Sequence, residues 1–197
     1  SSHVSEPDPL APLLGALNDL IGWLNAASVP GAVIGGVAAS FLGRPRATRD
    51  IDALVVLDQI QWTRFLDTSQ AYGFRPRISD ALAFAVQARV LLVCHEPSGI
   101  DVDVTFGALT FEQETVQRAT LTDIAGIRVP LATPEDLVIM KAVAHRPRDL
   151  ADIESILAAR PALDLERVRR WVREFATVLQ MPQLIDDLER IIAARAE

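Results

Sequence analysis

A chain of 197 residues, half of them hydrophobic, can bury one generous core, or a core with a smaller companion, without metal staples or an obligate partner. Its formal charge of −7 removes any global electrostatic case for nucleic-acid binding and leaves only a local basic patch open. No long uncharged apolar run is present, which argues against a membrane span, and the single cysteine, Cys94, fits a reducing, cytoplasmic setting.

The opening SSHVSEPDP lacks the basic and apolar regions of a signal peptide and is set aside from fold reasoning. Residues 9–27 carry Leu13, Leu17, Leu20, Ile21 and Leu24 at helical spacing, so an amphipathic helix is expected there, stopped by Pro30-Gly31. AVIGG reads as a short buried strand, and VAASFLG as a brief helix entered through Gly35-Gly36 and ended at Gly43. IDALVVL is a second strand with Asp50 and Asp52 at its start. One helix is expected over 58–74, capped by Asp58 and stopped at Gly73, and a short one over 79–88. Strands at 89–96 and 100–106 flank a Pro-Ser-Gly turn and read as a hairpin. TFEQETVQRA opens with a capping box at Thr110 and Gln113, and GIRVPLA is a further strand. Thr133 caps the next helix, with Pro134 in its first turn, and the remainder is helical with breaks near Pro147, Pro161 and Pro182.

Strands joined partly by helices and partly by a hairpin imply an α+β fold. A small mixed sheet flanked by helices would occupy residues 1–132, with a helical region over 133–197.

Side chains alternate faces along a strand, so Asp50 and Asp52 point the same way, their Cα atoms roughly 6.5–7 Å apart. Asp101 and Asp103 repeat the pattern. A lone Asp-x-Asp is compatible with a solvated edge or an arginine partner; two such pairs beside apolar runs point to a shared cation. A hard divalent ion accepts carboxylates while keeping sites for phosphate oxygens. A strand, two glycines and a helix start form a place where backbone N–H groups can approach phosphate, although tight turns also use glycine for steric reasons. Lys141 is the only lysine in an arginine-rich chain, and a compact ammonium suits phosphate as a point charge; a solvated helix position is the alternative. It shares a helix face with His145, and Asp149, with Asp152 three residues on, can cap the helix after Pro147. Arg44, Arg46, Arg49, Arg75 and Arg77 could form a local basic rim or be solvated loop residues.

Other constellations are weaker. His3, His95 and His145 lack metal-ligand spacing, Cys94 and His95 face opposite ways if they share a strand, and Ser40 has no nucleophile-elbow context. Trp171, Phe175, Leu179 and Leu188 read as packing surface on the terminal helices.

Gly-Gly, then GRPRATRDIDALV, then a later VDV strand resembles the motif of the DNA polymerase β-like nucleotidyltransferase superfamily. GIDVDVTFGALTFEQE and KAVAHRPRDLADI make the chain similar to AbiEii-type nucleotidyltransferases, which include toxins of type IV toxin–antitoxin pairs; the likeness runs from about Pro30 to Ile156. The resemblance implies that Gly35 and Gly36 hold an NTP triphosphate, assisted by Ser40 or Arg49, and that Asp50, Asp52 and Asp103 bind Mg²⁺ or Mn²⁺. It implies further that Asp103 serves as general base and that Lys141 contacts phosphates, with Asp149 and Asp152 at the acidic positions after the lysine helix. Asp101 is an extra acid without an assigned role. NMP would pass to a tRNA 3′ end or a protein, releasing pyrophosphate, and an antitoxin would be the protein partner. A catalytically silent binding module and an antibiotic-modifying enzyme are the competing readings.

Overall fold

The computed structural model describes residues 8–195, so the segment through Pro7, including His3, lies outside the described residues. The first helix, α1 (Ala11–Ala26), buries Leu13, Leu17, Leu20, Trp23 and Leu24 on one face, as its spacing predicts. Strand β1 (Gly31–Ile34) leads straight into α2 (Gly35–Leu42), so both glycines belong to the helix's first turn. Strand β2 (Ile51–Val55) is shorter than its apolar run, and Asp50 falls just outside it.

The single helix expected over 58–74 is broken into a turn at Gln59–Gln61, α3 (Trp62–Ser69) and a turn at Gln70–Tyr72. Packing overrides helical continuity here. Trp62 stacks on Phe106 at 3.9 Å and donates from Nε1 to the Leu57 carbonyl, while Phe65 stacks on Trp23 at 4.4 Å. Asp58 precedes the first turn but makes no side-chain cap, whereas Gly73 ends the segment at φ +83, a left-handed backbone suited to glycine.

An edge strand not anticipated from sequence, β3 (Phe74–Pro76), follows; Pro76 suits an edge because it has no N–H to donate. Helix α4 (Ala81–Ala88) then leads into the expected hairpin of β4 (Val90–His95) and β5 (Ile100–Phe106). Helix α5 (Thr110–Arg118) is capped differently from the Thr110–Gln113 expectation. Leu109 takes the cap position, and Oε1 of Glu112 accepts from the N–H groups of Ala108 and Leu109 at 3.0 Å. Strand β6 (Thr120–Ile124), an exposed edge with weak alternation, was likewise not legible and pairs with β7 (Ile127–Leu131).

The chain ends in α6 (Pro134–Ala144), α7 (Pro147–Ala159), α8 (Leu165–Leu179) and α9 (Gln183–Arg195), broken where the prolines predict. Thr133 Oγ1 accepts from the Asp136 N–H at 3.2 Å, the expected cap. Trp171 and Phe175 pack on Phe111, and Leu188 is buried, but Leu179 is exposed. Among the described residues no helix is long and apolar enough to cross a membrane.

Among the described residues seven strands form one mixed sheet in the order β3-β4-β5-β2-β1-β7-β6, an α+β architecture. The β2/β5 and β1/β7 pairs are parallel and the others antiparallel. Leu91, Val93, Val102, Val104 and Phe106 are fully buried on one face, while Leu92, Cys94, Asp101 and Asp103 are half-buried on the other.

One buried charge ties three helices together. Asp136 of α6 is fully buried and accepts from Nε of Arg118 on α5 at 3.2 Å and Nε of Arg167 on α8 at 2.9 Å. Removing one member of such a group strands a buried charge, at a cost of about 3–5 kcal/mol. Asp136→Ala is therefore expected to lower stability by about that amount in urea denaturation, and Arg118→Ala, which removes a more exposed partner, by much less.

Candidate active site

The strand-to-helix turn and the second strand are built around each other. Gly35 has φ +69, and a Cβ there would collide with Oδ2 of Asp52. A Cβ on Gly36 would sit 2.9 Å from Nη2 of Arg46. Glycine is thus required at Gly35 by its left-handed backbone and the close carboxylate, whereas at Gly36 a side chain would have to displace the Arg46 guanidinium. The first turn of α2 faces a cleft of about 260 Å³ lined by both glycines, Asp50, Asp52, Arg49 and Lys141. Arg46, Thr48, Arg146 and Arg148 complete its wall.

Antiparallel pairing sets Ile34 opposite Asp52, and parallel pairing sets Asp52 opposite Asp103. The two carboxylates therefore stand side by side on one face of adjacent strands. Asp50 is exposed at the end of the loop that enters β2. Asp101 shares the face of Asp103, and Arg77 reaches both, with Nη2 2.9 Å from Asp103 and Nη1 3.7 Å from Asp101. Among the described residues no three His, Cys, Asp or Glu side chains converge as a ready ligand set. Asp52 and Asp103 are the adjacent pair.

Burial pushes the Asp52 carboxyl above its usual range, reinforced by repulsion from Asp103 and Asp50 and opposed by Lys141 and Arg146. The donors are hard oxygens whose mutual repulsion a cation would relieve, which fits a divalent metal such as Mg²⁺.

Lys141 is nearly buried and lies 2.9 Å from Asp152 and 3.3 Å from Asp149. Arg46 contacts the same Asp152 oxygen at 3.1 Å, tying the loop before β2 to α7; the Arg44 amide donates to Ser155 Oγ beside it. The sequence places Asp149 as a helix cap with Asp152 in a capping-box position; the structure corrects both. Arg146 is the cap residue and Asp149 stands three residues on, accepting from the Arg146 amide at 3.1 Å and its Nε at 2.6 Å. Asp152 serves Lys141 and Arg46 instead. Burial alone would raise the Asp149 carboxyl, but the bonds from Arg146 and the charge of Lys141 hold it below the usual carboxylate range.

His145 does not act with Lys141. It ends α6 in a left-handed conformation and turns to Asp187 on α9, 2.6 Å away. Ser40 is not part of the cleft wall; its hydroxyl lies 3.2 Å from both the Arg46 carbonyl and Thr48 Oγ1, bracing the loop. The arginine rim divides: Arg46 and Arg49 line the cleft, Arg77 holds Asp103, and Arg75 pairs with Glu96 at 3.6 Å. Arg146 and Arg148 were missed because their helix start is brought against α2 and the cleft only through tertiary contacts. Cys94 is half-buried, and burial together with a hydrogen bond to Asp101 pushes its thiol up, away from reactive thiolate character.

The family model "nucleotidyltransferase of unknown function" (DUF6036) matches residues 18–188. No curated protein matches the sequence. The antibiotic-resistance factor ANT(2'')-Ia in solution shares the fold at 16% identity and a TM-score of 0.60, over 85% of this chain and 93% of that one. An antigenic nucleotidyltransferase-like protein from Paracoccidioides brasiliensis does so at 17% identity and a TM-score of 0.55, over 91% and 93%.

The raised Asp52 carboxyl has a consequence for stability. Its native state holds a proton more tightly than the unfolded chain, so the group's contribution is full below the ordinary value of 3.8 and is lost as pH rises through the raised native value. Asp52→Asn is expected to stabilise the metal-free protein at neutral pH by on the order of 1 kcal/mol. Urea denaturation in EDTA across pH 4–8 should show the gain growing as pH rises through that window.

Proposed function

The chain belongs to this nucleotidyltransferase family, and on that premise we propose that it transfers NMP from an NTP to a macromolecular acceptor, a tRNA 3′ end or a protein, with release of pyrophosphate. The observation that carries the reading is the juxtaposition of Asp52 and Asp103 in register, beside the glycine-lined start of α2 and a cleft walled by Lys141 and arginines.

Asp52 and Asp103, with Asp50 at the loop end, would hold Mg²⁺ or Mn²⁺. Such an ion supplies Lewis-acid polarisation of a phosphoryl oxygen and stabilises charge on the attacking and leaving oxygens. The protein's own groups do the rest. The free N–H groups of the first turn of α2 bind phosphate oxygens at the positive end of the helix dipole. Lys141, fixed by Asp149 and Asp152, and the guanidinium groups of Arg49, Arg146 and Arg148 neutralise and orient the triphosphate. Arg46 and Ser40 brace the loop that carries Arg49 and Asp50. Asp103, half-exposed on the sheet face, accepts the proton of an acceptor hydroxyl as it attacks the α-phosphorus.

The AbiEii-like segments support the further reading that the transfer is a toxin's activity, restrained by an antitoxin protein. A second acceptor class is favoured by a separate observation: the fold is shared with an antibiotic-resistance factor, and Asp101 and Asp103 would attract a positively charged small molecule. A silent binding module has no use for carboxylates at 50, 52 and 103 together.

Incubation with Mg²⁺, each α-labelled NTP and total tRNA, cell-extract protein or tobramycin should label one acceptor class. Asp52→Ala and Asp103→Ala are expected to cut the rate by about 10²–10³-fold, and Lys141→Ala to raise the KM for NTP. Absence of label on every acceptor, or full activity in Asp52→Ala, contradicts the reading.

A further inference from the structure

Arg77, Leu92, Asp103 and Asp52 form one row across four neighbouring strands or their extensions. The Arg77 amide donates to the Leu92 carbonyl at 3.0 Å, prolonging the β3/β4 pairing past Pro76. Leu92 is the register partner of Asp103, and Asp103 of Asp52. Arg77 thus flanks Asp103 from one side while Asp52 flanks it from the other. Its Nη2 lies 2.9 Å from Oδ1 of Asp103, and its Nη1 lies 3.7 Å from Oδ2 of Asp101. The Arg77 side chain is three-quarters buried, whereas those of Asp101 and Asp103 are about half-exposed.

A divalent ion shared by Asp52 and Asp103 would be a second cation on a carboxylate that already has one. Like charges so close repel, so the guanidinium and the ion compete for Asp103. Asp101 stands two residues earlier on the same face, already within Coulombic range of the other arm of the guanidinium. We propose that Arg77 is a positioning residue that holds Asp103 when no ion is bound and shifts onto Asp101 when a divalent ion takes Asp103. This gives Asp101, an acid outside the proposed metal pair, the task of receiving the displaced arginine. The inference rests on the reading above that Asp52 and Asp103 hold the metal.

The exchange is a linkage between two cations, so it is measured as metal affinity without nucleotide or turnover. Mn²⁺ binding to the folded protein, followed by the electron paramagnetic resonance of the free ion, would be compared across variants. Arg77→Ala is expected to tighten Mn²⁺ binding roughly fivefold, the scale of a partly exposed ion pair. Arg77→Gln provides the same test with more of the side chain kept. Asp101→Asn should weaken binding by a similar factor, because the arginine then has no second partner. On the Arg77→Ala background the same substitution should change affinity by less than about twofold.

Unchanged or weaker binding in both Arg77 variants overturns the proposal, as does an equal effect of Asp101→Asn in both backgrounds. Asp52→Asn separates the two levels. If it abolishes Mn²⁺ binding while the Arg77 variants match the wild type, only the exchange is wrong. If it leaves binding intact, or the wild type binds no Mn²⁺, the metal reading fails and the exchange fails with it.

Discussion

The in-register parallel pairing of β2 with β5 is the constraint on which the candidate site depends. Register partners in a parallel pair share a face, so Asp52 beside Asp103 follows from the alignment of the two strands alone. That alignment is held by the opposite face, where Ile51, Ala53 and Val55 on β2 and Val102, Val104 and Phe106 on β5 are fully buried. A slip of one residue would turn the apolar row outward and the carboxylates inward, at the cost of most of the core. The hydrophobic pattern therefore places the acids as firmly as any direct contact between them could. The antiparallel partner β1 adds the other half: with Ile34 opposite Asp52, the chain must enter α2 beside the carboxylate, and only glycine fits there.

A second layer of order comes from buried charge. Lys141 would be costly to bury alone, but Asp149 and Asp152 pair with it, and these acids are in turn shared with Arg146 and Arg46. The network spans α6, the adjoining start of α7 and the loop before β2, about a hundred residues earlier, so two regions distant in sequence present their cations to one cleft already oriented. Pre-oriented cations bind a triphosphate without the entropic cost of ordering long side chains at the moment of binding.

Asp52 is the counterpoint to that network. It is desolvated, faces Asp103 and leans on a backbone that tolerates no side chain at Gly35, so its charged form is disfavoured as long as no cation relieves it. A carboxylate kept in such surroundings is poor structure and good chemistry, which is why it weighs more heavily in the functional reading than the arginines around it. The arginines are abundant throughout the chain, and several of them, such as Arg75 and Arg169, only pair with acids far from the cleft.

The local signals told their own story well: helical spacing in α1, the proline breaks between the terminal helices, Thr133 as a cap, the β4/β5 hairpin and the alternation that sets Asp101 with Asp103. All of these depend on near neighbours in the chain, so period, turn residues and capping chemistry suffice to read them. Elements whose existence depends on distant partners were not legible. The edges β3 and β6 are too short and exposed to leave a pattern, and the segment after β2 breaks where Trp62 and Phe65 meet Phe106 and Trp23. At the site, the residue types and their spacing were written in the sequence, including both glycines, the acid pairs and the single lysine. Tertiary structure alone decided that Asp50 lies outside the strand, that Asp152 serves Lys141 and Arg46 rather than a helix end, and that Arg77 stands on Asp103. Those choices follow from strand order and helix packing, which bring together charges as distant in sequence as Arg46 and Asp152, and no local periodicity encodes them.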